Sequence, residues 1–139
     1  MMCFTFLLLL IFSTAAECQN GNSSDLTQEV LFYSLKSETV KKEFRICDFE
    51  CNRIDVFDLN NMIREHPFDF EVCEKKINLY NTTSIDHPSP NSIVIYRLDK
   101  IGDSVLKIYL LRPFSGASVI LTYSIIDGIK LIDTRVGTF

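Results

Sequence analysis

Apolar and polar positions along the chain follow two different periods. Between Leu26 and Phe44 the apolar residues recur at three- and four-residue spacing. Leu26, Val30 and Tyr33 stand with Leu31 and Leu35, and Val40 and Phe44 continue the series. That is the spacing of one helix face. Asp25 stands where an N-cap would, with Gln28 three residues on in capping-box spacing. The pattern predicts an amphipathic helix over about 25–44, broken near Ser37. Asp55 is placed to cap a second, short helix with Asp58 in its first turn. Its apolar stripe would be Val56, Leu59, Met62 and Ile63. Pro67 would end it, because the residue before a proline is pushed out of the helical region.

From Phe68 the period becomes two. Phe68, Phe70 and Val72 alternate with Asp69, Glu71 and Cys73, which predicts a half-buried strand. Ile77 and Leu79 then fall on the other parity. A bulge near Glu74-Lys75 would reconcile the two phases. Residues 81–91 read as a loop, with His87-Pro88 and Ser89-Pro90 as breakers. Strands follow at Ser92–Leu98, at Val105–Phe114, around Val119–Ile125 and at Ile129–Val136. Turns at Gly102-Asp103, Ser115-Gly116 and Asp127-Gly128 separate them.

Short turns force antiparallel neighbours. The expected fold class is therefore α+β, with N-terminal helices packed on one face of a curved antiparallel sheet of four to five strands. Several strands are apolar on both parities. Ile93 and Ile95 oppose Val94 and Tyr96, and Leu106, Ile108 and Leu110 oppose Val105, Tyr109 and Leu111. The helices can cover one face of such a sheet, which leaves the other for loops, a ligand or a partner.

The first sixteen residues belong to neither pattern. They are uncharged, with an unbroken apolar run at Phe6–Phe12 and small residues at Ser13-Thr14-Ala15-Ala16. A short apolar run before a small-residue cleavage site is the form of a signal peptide, although no basic residue precedes it. The run is shorter than the roughly 20 residues that span a bilayer. The expected organisation is a signal peptide at 1–16, a flexible lead at 17–24 and a single α+β domain at 25–139. The expected location is extracellular.

That destination changes how the cysteines are read. Cleavage after Ala16 leaves Cys18, Cys47, Cys51 and Cys73, which predicts two disulfides among three possible connectivities. Asn22-Ser23-Ser24 and Asn81-Thr82-Thr83 match the N-glycosylation acceptor, so Asn22 and Asn81 are the expected glycan sites. The formal net charge is −4, and the single basic cluster, Lys41-Lys42 with Arg45, is interleaved with Glu38 and Glu43. No nucleic-acid partner and no membrane span are expected.

Candidate chemistry is sparse. Nucleophilic catalysis would need Cys73 as a free thiol near His66 or His87. A metal site would have to be assembled from Cys47, Cys51 and His66, short of the four ligands of structural zinc. The carboxylates Asp48, Glu50, Asp55 and Asp58 cluster in sequence, and Asp69 and Glu71 share a strand face. A disulfide-bonded cysteine and solvent-facing carboxylates are the simpler account. No catalytic residue, no metal ligand and no cofactor is therefore expected.

The element order over about 25–136 resembles the cystatin-like/NTF2-like cone, and in particular small secreted nematode proteins of that type. Asp55–Arg64 followed by Phe68-Asp69-Phe70-Glu71-Val72 carries the likeness. The resemblance implies a sheet curled round the long helix and enclosing a pocket. It also implies a family in which some members are enzymes and many are binding or dimerising modules. Inhibitory cystatins carry a Gln-x-Val-x-Gly hairpin. The nearest segment here, Gln28-Glu29-Val30-Leu31-Phe32, lacks the glycine and lies in the expected helix, so protease inhibition is not expected. The expected function is that of a non-enzymatic binding module with a concave sheet surface. Its partner would be a protein, a homodimer mate or a small apolar ligand. The alternative is a small secreted enzyme with a cone-type pocket, isomerase- or hydrolase-like. It requires a buried Asp, Glu or His lining a pocket at the helix–sheet junction.

Overall fold

The computed structural model describes residues 23–63 and 70–138. The expected signal peptide, Cys18, Asn22, His66, Phe68 and Asp69 lie outside the described residues.

Two helices open the described chain, α1 (Ser23–Lys36) and α2 (Glu38–Phe44). The break falls at Ser37, as the pattern predicts. Its backbone is extended, its hydroxyl accepts the Val40 N–H at 3.3 Å, and it donates to Ser34 O at 2.7 Å. The serine thus ends one helix and caps the next. Both helices lie between residues 23 and 44, so the expectation of helices at the N-terminus of the chain is corrected. Helix α1 begins at Ser23, two residues before the expected cap Asp25, inside the segment read as a flexible lead. Arg45 closes α2 in the left-handed region, φ 53°, with its N–H on the carbonyls of Lys41 and Lys42. One turn of 3-10 helix, Ile46–Asp48, follows.

Seven strands form one mixed sheet, curled into a half-barrel. They are β1 (Arg53–Asp58), β2 (Glu71–Val72), β3 (Lys75–Asn81), β4 (Ser92–Ile101), β5 (Val105–Arg112), β6 (Ala117–Ser124) and β7 (Lys130–Thr138). Their spatial order is β2-β3-β1-β4-β5-β6-β7. The antiparallel sheet of four to five strands is corrected at one end. There β1 stands parallel to both β3 and β4, in the position where a second helix was expected.

The segment that forms β1 carries both patterns. Val56, Leu59, Met62 and Ile63 are spaced for a helix, while Ile54 and Val56 alternate with Asp55 and Phe57. Ile54 and Val56 of the strand are fully buried, Asp55 and Asp58 are buried with them, and Met62 of the helical stripe is 45% exposed. A strand held by neighbours on both sides buries more apolar surface here than a short helix would. Asp58, expected in the first turn of a helix, takes a capping role instead. It accepts the N–H groups of Asn60, Met62 and Ile63 at 2.8–2.9 Å. Those amides belong to a turn after β1, not to a helix.

The expected bulge at Glu74-Lys75 is also corrected. Cys73 and Glu74 both adopt positive φ, 52° and 61°, and turn β2 back onto β3. A two-residue turn with positive φ at both central positions suits the twist of a hairpin. It also accounts for the slipped phase, because the chain reverses there.

From β4 onward every strand pairs antiparallel with its sequence neighbour, as expected. Ile93, Ile95, Leu98, Leu106, Ile108, Leu110, Val119, Leu121 and Tyr123 point to the inner face. There they form one buried cluster with Val30, Leu31 and Leu35 of α1 and Val40 and Phe44 of α2. Tyr123 and Ser34 join the layers through a hydroxyl pair at 2.8 Å, with Ser34 also donating to Val30 O at 2.6 Å.

Candidate binding surface

Strand β4 changes face part-way along its length. Its register with β5 shifts between Ile95 and Arg97, so Ile95 pairs with Leu110 and Arg97 with Tyr109. One extra residue at Tyr96 keeps Leu98 in the core and puts both Tyr96 and Arg97 on the outer face. Re-aiming side chains in this way is the usual consequence of a β-bulge. The Tyr96 and Tyr109 rings meet edge to face at 5.6 Å. The Arg97 guanidinium sits 5.3 Å from the centre of the Tyr109 ring, and the Lys107 ammonium 5.9 Å from it. Asp99 pairs with Arg97 at 2.9 Å and anchors it.

The cluster continues along the sheet. Register places Ile120 beside Tyr109, Leu111 beside Val94, Val94 beside Phe57 and Phe57 beside Tyr80. The Phe57 and Tyr80 rings stack at 5.2 Å. Tyr96, Tyr109, Leu111, Ile120 and Phe57 are half-buried and Tyr80 is exposed, so they form an aromatic and aliphatic band on the outer face. Burial raises the Tyr96 phenol above its ordinary value, and Tyr109 adds to the shift while Arg97 opposes it. The Arg97 guanidinium is raised in turn by its hydrogen bond to Asp99. At neutral pH the Tyr96 phenol is therefore protonated and the Arg97 guanidinium charged.

A second feature lies at one end of the sheet, a cleft of about 570 Å³ lined by residues from 45–51, 90–91 and 112–115. Arg112 holds it together. Its guanidinium lies 4.8 Å from the centre of Phe49 and 5.5 Å from that of Phe114. Nη1 donates to Phe44 O at 2.9 Å and Nη2 to Pro90 O at 3.0 Å. Burial, with Arg45 nearby, lowers its pKa. From the other side the buried Lys75 ammonium donates to Phe49 O at 2.6 Å and Cys51 O at 3.2 Å. The Cys47–Cys73 disulfide ties the same segment to the β2–β3 turn. These bonds commit the buried Lys75 and the half-buried Arg112 to backbone carbonyls, so the cleft works as a structural junction.

The other sequence candidates are dispersed. Of the four cysteines expected in disulfides, Cys47 and Cys73 are bonded to each other. Cys51 is an exposed free thiol. Cys73 is therefore no nucleophile, and His87 is exposed in the 82–91 loop. Asn81 ends β3 and is half-buried, while Thr83 of its acceptor motif is exposed. Glu71 faces water, and Asp48 forms an exposed pair with Arg45 at 3.2 Å. Asp58 is wholly buried and occupied by three backbone amides. Asp55 is 6% exposed, paired with Arg53 and Asn91 at 3.4 Å each, and leaves Oδ1 without a partner. Among the described residues no three His, Cys, Asp or Glu side chains gather to hold a metal ion. No helix among them is long and apolar enough to cross a membrane.

The apolar residues on both parities of β4 and β5 pointed to an outer band. The bulge at Tyr96 and the roles of Lys75 and Arg112 had no signal in the sequence. No protein family, curated protein or solved structure matches this chain.

Proposed function

We propose that this chain is an extracellular, non-enzymatic interaction module that binds a protein partner across the outer face of its sheet. The observation that carries this reading is the bulge at Tyr96-Arg97. It brings two tyrosines and two cations together on a face the helices do not use. Tyrosine and arginine dominate binding hot spots because each combines apolar area with directed polar groups. The helices fill the inner face with side chains that are almost wholly buried, so a small apolar ligand has less to occupy there. An open, patterned surface suits a protein better than an enclosed molecule. Export is supported by the apolar leader with its small-residue cleavage site, together with the Cys47–Cys73 disulfide.

Expression of the full chain in eukaryotic secretory cells tests both halves of the reading. Exported protein should begin at Glu17. A photoreactive phenylalanine analogue in place of Tyr109 should then capture a discrete extracellular protein, and the same analogue in place of Asn60 should not. Adducts that are absent, or equal at the two positions, would remove the outer face as the binding surface.

A further inference from the structure

The two edges of the sheet are unlike. At one end β2 is two residues long and is held beside the disulfide. At the other end β7 runs nine residues, Lys130–Thr138, paired with β6 on one side along its length. Eight of the nine are exposed, among them Leu131 at 43%, Ile132 at 54% and Val136 at 52%. A long apolar edge is a template for another strand unless it is blunted by proline, bulges or charge. A register shift lies near its start, and its charges beyond that point are Asp133 and Arg135.

Those charges select a partner. Asp133 and Arg135 both stand on the outer face, opposite Thr122 and Ile120 of β6. Suppose a second β7 runs antiparallel to the first about a two-fold axis through Thr134. Asp133 then lies opposite Arg135 of the other copy, twice over by symmetry, and Ile132 lies opposite Val136. Sliding the register two residues one way sets Asp133 against Asp133, and two residues the other way sets Arg135 against Arg135. Like charges directly opposite are destabilising and unlike charges stabilising. A shift of one residue would put inner-face against outer-face side chains.

We propose that β7 is a homodimerisation edge, pairing antiparallel with β7 of a second copy in the register centred on Thr134. The two sheets then become continuous, with their outer faces on the same side. This interface does not depend on the outer-face reading and would leave that band open in both copies.

Mature protein in the Cys18→Ser, Cys51→Ser background, which leaves no cysteine outside the Cys47–Cys73 bridge to form disulfide dimers, is studied by sedimentation equilibrium. A reversible dimer should form, and Asp133→Arg or Arg135→Asp alone should weaken it on the order of tenfold, from two reversed cross-strand contacts. Mixing the two single variants should restore a dimer, now a heterodimer, because one copy then presents two arginines and the other two aspartates. Thermal melts of each variant confirm that the monomer is folded, and a folded wild-type protein that stays monomeric at millimolar concentration overturns the proposal. So does a dimer indifferent to the single swaps, or a mixture that fails to form the heterodimer.

Discussion

From β4 to β7 each strand turns back onto its predecessor, and the core positions of β4, β5 and β6 are aliphatic apart from Tyr123. At the other end β1 is threaded between β3 and β4, parallel to both, although β3 begins seventeen residues after β1 ends. That end also holds the disulfide, the buried Lys75 and the buried Asp55 and Asp58. The antiparallel run is stabilised by repeated apolar contacts, none of them decisive. The parallel end is stabilised by a few polar and covalent devices, each tied to particular backbone atoms. Loss of one side chain should therefore have different consequences in the two regions.

The largest effect is expected from Asp58→Ala. It strips three backbone amides of their acceptor around a wholly buried position. At about 1–3 kcal/mol for each group left unpaired, the loss should be at least ~3 kcal/mol in urea unfolding. Asp58→Asn keeps one acceptor oxygen and should lose less. Equal losses for the two variants would mean that Asp58 acts through its volume alone.

Cys47→Ser with Cys73→Ser comes next. The bridge closes a separation of 26 residues, for which loop entropy gives about 3.5 kcal/mol. Hydrogen exchange should quicken in β1, β2 and β3 well before β5 and β6. Uniform acceleration would erase the distinction between the two ends. Ile108→Ala in the antiparallel run should cost about 2–4 kcal/mol, with all seven strands losing protection together.

Tyr123→Phe is a smaller probe, on the order of 1 kcal/mol, because it removes one hydroxyl contact while Ser34 still donates to Val30. It has a pH signature as well. Burial raises the Tyr123 phenol, and its hydrogen bond to Ser34 only partly offsets that. The folded state therefore keeps this proton to higher pH than the unfolded chain does. Stability is unaffected below the unfolded value near 10 and falls as pH rises from there through the raised folded value. Melting curves should show that alkaline fall in the wild type and a weaker one in Tyr123→Phe. Identical slopes would show that other groups carry it. Ile120→Thr, half-buried on the outer face, should change stability by no more than about 0.5 kcal/mol.

The same contrast governs what could be read from the chain alone. Strict alternation in Val119–Tyr123, the turns at Gly102, Gly116 and Asp127-Gly128, and the serine break at Ser37 identify helices and meander directly. In each case the signal and the structure it specifies lie within a few residues. Segment 53–63 behaved differently. Asp55 looks like a helix cap and Asp58 like an anion in the first turn, whereas Asp58 satisfies free amides in a turn after a strand.

Nothing local reports that β1 will find β3 on one side and β4 on the other. Only that arrangement makes the alternation of Ile54 and Val56 outweigh the helical spacing. The outer-face cluster follows the same rule. The tyrosines and cations were visible as residues, while their meeting required a bulge that exists only against β5. The sequence by itself determined the α1–α2 break and the antiparallel strands, because capping, alternation and turn chemistry act between near neighbours. The tertiary structure alone decided the parallel insertion of β1, the Cys47–Cys73 pairing, the clustering of Tyr96, Arg97 and Tyr109, and which strand was left at the edge. Those features depend on contacts between residues far apart in the chain, and no local pattern encodes which of them will meet.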